Sequence, residues 1–499
     1  MTATNRLFND GWQLCLCDIG TGISSLEGKH WYDVELPHDW LVNDTANLYK
    51  TGEGWYRRNL DCIAGMLSGR VLLNFDGVYM NSTVYVNGRE AGSWTYGYSA
   101  FEFDITDFLR EGSNEIMVRV QHEAPNTRWY SGAGIFRDVT LKLRPGTYIR
   151  TNGVYIHSDK QESGWNTEVE TDVVGLAADI RMVMEVIDPY GNVAAAGSLE
   201  ANFGGGEETF STSFANSDPV LWDIDDPMLY TLRISLYSGE ELLDCVSEDF
   251  GYRTTEFSPD RGFLLNGREV KMHGVCMHHD LGALGAAMNT AALTRQLRIM
   301  KEMGVNAIRT SHNMPARQLV QLCDEMGLLV DSEAFDMWEK PKTEMDNHRF
   351  FVEHAERDVR SWIERDRNHP CVIMWSIGNE INDTIDPHGL DITRRLYDYV
   401  QKYDPKGNAA ATIGSNYMGD ENAQKCSDVV KLAGYNYFEY LYDEHHAKYP
   451  DWFIYGSETA SAVRSRGIYR FPADTPSLTG ADYQCSSLDN SVVGWGSSA

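Results

Sequence analysis

The sequence predicts a multidomain chain: two β-sandwiches followed by a (β/α)8 TIM barrel that is truncated before strand 8. Three observations carry this. Short alternating apolar runs separated by glycine turns fill the first half of the chain. Near residue 268 the pattern changes to apolar strands alternating with amphipathic helices. From there seven strand-like runs follow, and no eighth is found before Ala499. A length of 499 residues agrees with about three domains at roughly 100–200 residues each.

Residues 1–145 form the first unit. Ser82-Thr-Val-Tyr-Val-Asn87 and Asn114-Glu-Ile-Met-Val-Arg-Val120 alternate in polarity and are bounded by Asn87-Gly88 and Glu111-Gly112. Such runs read as strands joined by tight turns, and many of them suggest a sandwich. Residues 146–257 form the second unit. In Leu229-Tyr-Thr-Leu-Arg-Ile-Ser-Leu236, Leu232, Ile234 and Leu236 share one face. About 110 residues of this kind fit an immunoglobulin-like sandwich. The Gly, Glu and Ser stretch at 204–213 reads as a hairpin loop.

Residues 258–499 form the barrel. Its predicted strands are 270–275, 305–310, 328–334, 371–377, 409–413, 429–435 and 452–456. Helix 293–303 places Leu293, Leu297, Met300 and Met303 on one stripe, with Gly304 as its stop. The next helix is predicted to begin with Pro315 in its first turn and to end at Gly327. Repeated β-then-α units imply a parallel sheet. A barrel short of one strand would have two unpaired edges. The expectation is therefore a partial chain.

Composition excludes several function classes. Forty-three Lys and Arg against 73 Asp and Glu leave a net charge of −30, which disfavours nucleic acid and anionic membranes. No run of 18 apolar residues exists to span a bilayer. Nine scattered cysteines, an odd number, read as reduced thiols. The N-terminal MTATNRLFNDGW shows no basic, then apolar, leader pattern. A cytoplasmic protein is expected, and a homo-oligomer is compatible with the sequence.

Active sites of such barrels lie at the C-terminal ends of the strands. Four of the seven runs end in polar groups: Val275-Cys-Met-His-His-Asp280, Ile308-Arg-Thr-Ser-His-Asn313, Val372 through Asn379-Glu380, and Phe453-Ile-Tyr-Gly-Ser-Glu458. Glu380 and Glu458 each follow a buried apolar strand, where a carboxylate is costly without a role. Strands four and seven lie across the barrel from each other, so their ends can flank a sugar. Glycoside hydrolysis uses two such carboxyls, one protonated and one ionised. The alternative is that each Glu pairs with a barrel Arg or caps a helix.

His278, His279 and His312 read as metal ligands, sugar hydrogen-bond donors or core histidines. Zinc sites usually bring closely spaced Cys or His, and here the adjacent pair is His278/His279. Arg309 is charged inside a barrel and is expected to pair with Glu458 or another carboxylate, holding it ionised. Asn379 could donate to a sugar 2-hydroxyl. Tyr437 could donate to the Glu458 carboxylate or simply pack as an aromatic. Asp336 and Trp338, beyond strand three, either line the pocket or are structural.

These motifs resemble glycoside hydrolase family 2. Asp366-Arg-Asn-His-Pro-Cys-Val-Ile-Met-Trp-Ser-Ile-Gly-Asn-Glu380 is similar to its acid/base signature, and Asn306-Ala-Ile-Arg-Thr-Ser-His312 to its other signature. Asn313-Met314 stand before Pro315 where many members carry Tyr, so that loop is a variant. Gly456-Ser-Glu-Thr-Ala-Ser461, with Ser465-Arg-Gly467 and Phe471-Pro472, resembles the nucleophile region of the β-galactosidase branch. Asp76-Gly-Val-Tyr-Met-Asn81, Val86-Asn-Gly88 and Arg128-Trp-Tyr-Ser-Gly-Ala-Gly-Ile-Phe-Arg137 resemble its jelly-roll sugar-binding domain.

The resemblance implies a retaining exo-β-glycosidase acting on terminal β-D-galactosides, with Glu380 as acid/base and Glu458 as nucleophile. It implies that Asn379, His278, His312 and Tyr437 contact the sugar or the nucleophile. Some relatives hold magnesium through a Glu-x-His after strand three. Here that stretch is Glu333-Ala-Phe-Asp-Met-Trp338, so no metal or other cofactor is expected. A β-glucuronidase or β-mannosidase of the same family is the alternative. A non-catalytic carbohydrate-binding protein with an incomplete barrel is an alternative of another class.

Overall fold

The computed structural model describes residues 3–459. The segment in which an eighth strand was sought, and the motif residues Ser461, Ser465, Gly467, Phe471 and Pro472, lie outside the described residues.

The first sandwich pairs a four-stranded sheet (Thr4–Leu7, Val139–Arg144, Arg70–Phe75, Phe101–Asp104) with a six-stranded one (Tyr32–Val34, Trp12–Cys17, Gly52–Cys62, Gly112–His122, Ser82–Val86, Arg89–Trp94). Asn87 and Gly88 both adopt positive φ, 52° and 77°. That is the geometry a two-residue hairpin needs to match strand twist. Val84, Val86, Ile116 and Val118 from alternating positions are fully buried between the sheets.

The second sandwich has three strands (Thr147–Gln161, Gly164–Gly175, Gly206–Asn216) facing four (Val193–Phe203, Ala178–Ile187, Tyr230–Ser238, Glu241–Phe250). Leu232, Ile234 and Leu236 are fully buried, as their spacing requires. The predicted loop at 204–213 is much shorter. The chain turns at Gly204-Gly205, and 206–216 is a strand paired to Gly164–Gly175. Alternating exposure makes its outward face polar, which mimics a loop in composition.

A small sheet (Thr255–Ser258, Gly262–Leu265, Arg268–Glu269) leads into the barrel. The barrel strands are β1 (Gly274–Met277), β2 (Ala307–Thr310), β3 (Leu329–Glu333), β4 (Val372–Asn379), β5 (Ala410–Ser415), β6 (Leu432–Asn436) and β7 (Phe453–Glu458). They pair in parallel in chain order, forming a curled seven-stranded sheet. Among the described residues β1 and β7 do not pair with each other. The intervening helices are α1 (Thr290–Glu302), α2 (Arg317–Met326), α3 (His348–Asp366), α4 (Gly389–Tyr403), α5 (Glu421–Val430) and α6 (Tyr442–Lys448). No described helix is long and apolar enough to cross a membrane.

Two helix predictions need correction. In α1, Leu293 and Leu297 are buried, but Met303 is 70% exposed because it caps the helix and has turned off the stripe. The second helix starts at Arg317, not in a turn containing Pro315. The Pro315 carbonyl instead accepts from Arg137 at 3.1 Å and Arg365 at 2.8 Å. Ala316 is correspondingly extended.

The first sandwich docks on the C-terminal ends of the strands. Its Tyr79, Tyr96, Tyr98, Trp129 and Phe136 belong to the same apolar core as the barrel. Tyr96 donates to the Ala334 carbonyl at 2.5 Å, and Ser99 to Asp358 at 3.0 Å. Arg137 is buried and donates to the carbonyls of Asp76, Tyr98, Met314 and Pro315. The second sandwich contacts the opposite end, where Tyr155 donates to Asp404 at 2.6 Å and Trp222 to the Asp324 carbonyl at 3.0 Å. Replacing Arg137 with Met removes its bond from four buried carbonyls, of which Pro315 keeps its donor Arg365. A loss on the order of 3 kcal/mol is expected, measured as a lowered urea midpoint. An unchanged midpoint would show that this docking contributes little.

Candidate active site

The site is built outward from β2. Arg309 points into the barrel and is 5% exposed. It donates from Nη1 to Glu458 Oε1 at 2.9 Å, and from Nη2 to Glu333 Oε2 at 2.7 Å and Asn379 Oδ1 at 2.8 Å. One fixed guanidinium thus joins the ends of β3, β4 and β7. The planar donor fork suits such convergence. Glu333 is fully buried. It also meets His312 Nδ1 at 2.6 Å and accepts from Ser376 Oγ at 2.7 Å. Burial alone would raise the Glu333 carboxyl, but Arg309 and His312 outweigh it and hold it below the usual range.

Glu458 lies at the end of β7. Beside the Arg309 bond, its Oε2 accepts from the Tyr437 hydroxyl, and His312 Nε2 stands 3.5 Å from Oε1. Burial opposes ionisation here too. The Arg309 charge, His312 and the Tyr437 hydrogen bond overcome it, so the carboxyl is held below the ordinary glutamate value. Neighbouring Asp331 goes the other way: desolvation wins over Arg309, and its carboxyl is pushed up to about 7.

Glu380 follows β4, with φ of 47°. Tyr437, following β6, has φ of 63°. Left-handed backbone at non-glycine residues costs of order 1–3 kcal/mol and clusters at functional sites. The turn aims the Glu380 side chain at Asn436 Nδ2 (3.1 Å) and Arg128 Nη1 (3.3 Å). Asn436 also donates to Asn379 at 3.0 Å and accepts from Ser457 Oγ at 2.5 Å. Neighbouring residues of β6 and its end therefore serve both glutamates: Asn436 holds Glu380, and Tyr437 holds Glu458.

Asp336 lies behind Glu380 and is 1% exposed. It takes Arg128 through two bonds (3.1 and 2.7 Å), Lys342 Nζ at 2.7 Å and Asn379 Nδ2 at 2.8 Å. Burial is outweighed by Lys342, His312 and Arg128, leaving its carboxyl well below the usual aspartate range. Arg128 reaches in from the first sandwich. Its neighbour Trp129 stacks on His278 with centroids 5.3 Å apart and meets His312 edge-on at 5.8 Å. The loop that delivers them is pinned at Asp39, which accepts from the Tyr130 hydroxyl and the N–H groups of Leu41, Ala133 and Ala286. Gly132, at φ 67°, approaches so closely that a Cβ would stand 2.7 Å from the Asp39 carboxylate.

The structure thus brings Glu380, Glu458, Asn379, His312, Tyr437, Asp336 and Arg309 into one hydrogen-bonded network, with His278 at its rim. His279 points away: its Nε2 meets the Ser131 carbonyl at 3.1 Å, and its ring packs on Tyr98 and Phe136. Burial holds it neutral, at about 3. Trp338 takes the structural of the two alternatives and does not line the mouth. It is fully buried, with its indole N–H on the Ile377 carbonyl at 3.0 Å, and offers no face to a ligand. Among the described residues no cluster of three His, Cys, Asp or Glu side chains is arranged to hold a metal ion.

Sequence reasoning missed Glu333, Asn436, Lys342 and Arg128. Glu333 and Asn436 are the last residues of β3 and β6, so the strand-end rule alone would have found them. Lys342 sits in a loop and Arg128 in another domain, and no barrel pattern points to either.

Residues 28–145 match the family model for the sugar binding domain of glycosyl hydrolases family 2. Residues 147–253 match the model described as glycosyl hydrolases family 2, and 259–451 its TIM barrel domain. A β-galactosidase of Bacteroides ovatus is 36% identical, over 98% of this chain and 64% of that protein. A β-glucuronidase of Bacteroides fragilis is 29% identical, over 78% of this chain and 59% of that protein. A solved glycosyl hydrolase family 2 member from Bacteroides cellulosilyticus superposes with a TM-score of 0.86 at 32% identity, covering 92% of this chain and 61% of that one. The chain thus spans 64% or less of the length of these relatives.

The depressed carboxyls make the fold acid-sensitive in a defined window. Asp336, Glu333 and Glu458 all sit below their unfolded values near 4, so their stabilisation is present above about pH 4 and is lost as pH falls through the folded values. Asp336→Asn should flatten the fall of the urea midpoint below about pH 4. An equally steep fall in the variant would show that Asp336 is not part of this linkage.

Proposed function

The chain belongs to glycosyl hydrolase family 2, and on that premise we propose that it serves a retaining exo-β-glycosidase activity on terminal β-D-galactosides. The observation that carries the mechanism is the unequal treatment of two carboxyls at one barrel mouth. Glu458 is kept ionised by Arg309, His312 and Tyr437. Glu380 meets a single guanidinium, that of Arg128 from the first sandwich, at 3.3 Å, with no histidine or tyrosine hydroxyl on it among the described residues. It is oriented by Asn436 and by the rim residue Arg128.

In the first step a Glu458 carboxylate oxygen attacks the anomeric carbon as the glycosidic bond breaks. Glu380 gives its proton to the departing oxygen, releasing the aglycone as an alcohol. In the second step the ionised Glu380 takes a proton from water, whose oxygen attacks the anomeric carbon. The glycosyl ester breaks, and Glu458 returns as a carboxylate. Positive charge growing on the sugar is stabilised by the adjacent carboxylate. His278, exposed at the mouth with Trp129 buried behind it, forms the rim that a pyranose would meet.

The galactose assignment rests on the B. ovatus relative and on the residues around Glu458. A β-glucuronide is the second reading, favoured by the B. fragilis relative and by a Bacteroides uniformis β-glucuronidase structure with a TM-score of 0.80 at 25% identity. A panel of nitrophenyl glycosides decides between them. Glu458→Gln should lower turnover of the best one by about 10^4 or more while circular dichroism shows the fold retained. Undiminished turnover would overturn the nucleophile assignment. Tyr437→Phe should move the acid limb of the kcat/KM profile to higher pH, because the lost hydrogen bond favours the ionised Glu458. A limb that stays in place would remove Tyr437 from that role.

A further inference from the structure

The motif Asp366-Arg-Asn-His-Pro370 through Glu380 serves two places. β4 spans eight residues, so its ends stand roughly 25 Å apart. Glu380 is at one end. Arg367, Asn368 and His369, at the other, line a cavity of about 260 Å³ between the barrel base and the second sandwich. That volume has room for several waters or a polyatomic ion.

Its wall carries an excess of cations in a chain whose net charge is −30. Lys160, Arg253, Arg367, His369 and Lys406 line it, against the single carboxylate of Asp159, and Lys406 is also paired with Glu168 at 2.7 Å. Asp159 is already placed 3.1 Å from His157 Nε2. The two arginines are the unusual members. Arg253 donates to the carbonyls of Val372 (2.8 Å) and Asn408 (3.1 Å) and to Thr255 Oγ1 (3.3 Å). Arg367, 8% exposed, donates to the Tyr403 carbonyl at 2.8 Å and lies 4.4 Å over the Tyr155 ring, with its buried Nε unpartnered. Among the described residues neither guanidinium has a carboxylate within ion-pair distance. Carbonyls satisfy N–H groups but leave the charge uncompensated, and a buried charge without a counter-charge is costly. Glu364, the carboxylate that Arg367 feels most, is bonded to Arg150 at 2.8 Å. Asp324 is taken by His369 at 2.5 Å. Burial lowers Arg253 to about 10 and also lowers Arg367, as expected for cations lacking a partner.

We propose that this cavity is a binding site for an oxyanion of the phosphate class, held by Arg253 and Arg367 with Lys160 and Lys406 at its mouth. The bound anion would supply the missing counter-charge and clamp the second sandwich to the base of the barrel. This site is separate from the glutamate pair and stands or falls independently of the glycosidase reading.

The test is thermal unfolding of the full chain in about 10 mM orthophosphate, against sodium chloride of equal ionic strength, with titration calorimetry alongside. Orthophosphate should raise the midpoint by a few degrees beyond the chloride control. Arg253→Met should weaken the calorimetric Kd by roughly tenfold or more. The exposed pair Lys160→Met/Lys406→Met, which disturbs no buried contact, covers the case in which Arg253→Met fails to fold. Loss of binding in either folded variant supports the site. No shift beyond chloride, or full retention of it in every variant that folds, overturns it. Glu458→Gln should bind orthophosphate as the parent does, and displacement by that distant substitution would also overturn the assignment.

Discussion

A single buried guanidinium organises the barrel mouth. Arg309 is charged, nearly inaccessible, and committed to Glu458, Glu333 and Asn379 at once. A cation in such a place is tolerable only with counter-charges in good geometry. Two carboxylates meet that need, and each is held ionised in return. The arrangement is reciprocal: Glu458 is kept in its anionic form by the charge that Glu458 itself helps to compensate. His312, between Glu333 and Glu458, couples the two carboxylates again. The charged centre therefore behaves as one unit, and its parts cannot be apportioned singly.

The second constraint comes from outside the barrel. Arg128 and Trp129 belong to the first sandwich, yet they touch Glu380, Asp336, His278 and His312. They reach that position because Asp39 gathers the loop and Arg137 bolts it to Met314 and Pro315. The sandwich thus completes one wall of the site. Misplacement of a charged group by even an ångström is costly at a reacting centre. The docking of two domains and the geometry of the glutamates are therefore one problem.

The left-handed residues Glu380 and Tyr437 show where that support is spent. Each follows a strand whose ladder has ended, and each turns its side chain onto the mouth. Their conformation is held by backbone bonds from Glu380 to Gly414 and from Tyr437 to Glu458. The neighbouring strand thus supplies the hydrogen bond that makes each turn tolerable.

Much of this was legible in the sequence. The strand-and-helix period located six of the seven barrel strands closely, because burial on both faces forces near-continuous apolar runs. The first, expected at 270–275, lies at Gly274–Met277, where exposed and half-buried residues blur the pattern. The carboxylates after β4 and β7 stood out because an ionised group at the end of such a run needs a reason. Long motifs then tied them to a family. The helix starts were less legible, since Pro315 leaves the helix to serve Arg137 and Arg365. Met303 left its stripe for a similar reason, as the cap lies beyond the period. What only the tertiary structure decided was which side chains meet. Arg128 and Asp336 are 208 residues apart and bonded. Trp338 follows β3 as Asp336 does, yet it turns into the core. One-dimensional pattern records which face of an element is buried, because burial follows a fixed period. It does not record which buried groups from different elements share a hydrogen bond, because that depends on distances set only when the domains pack.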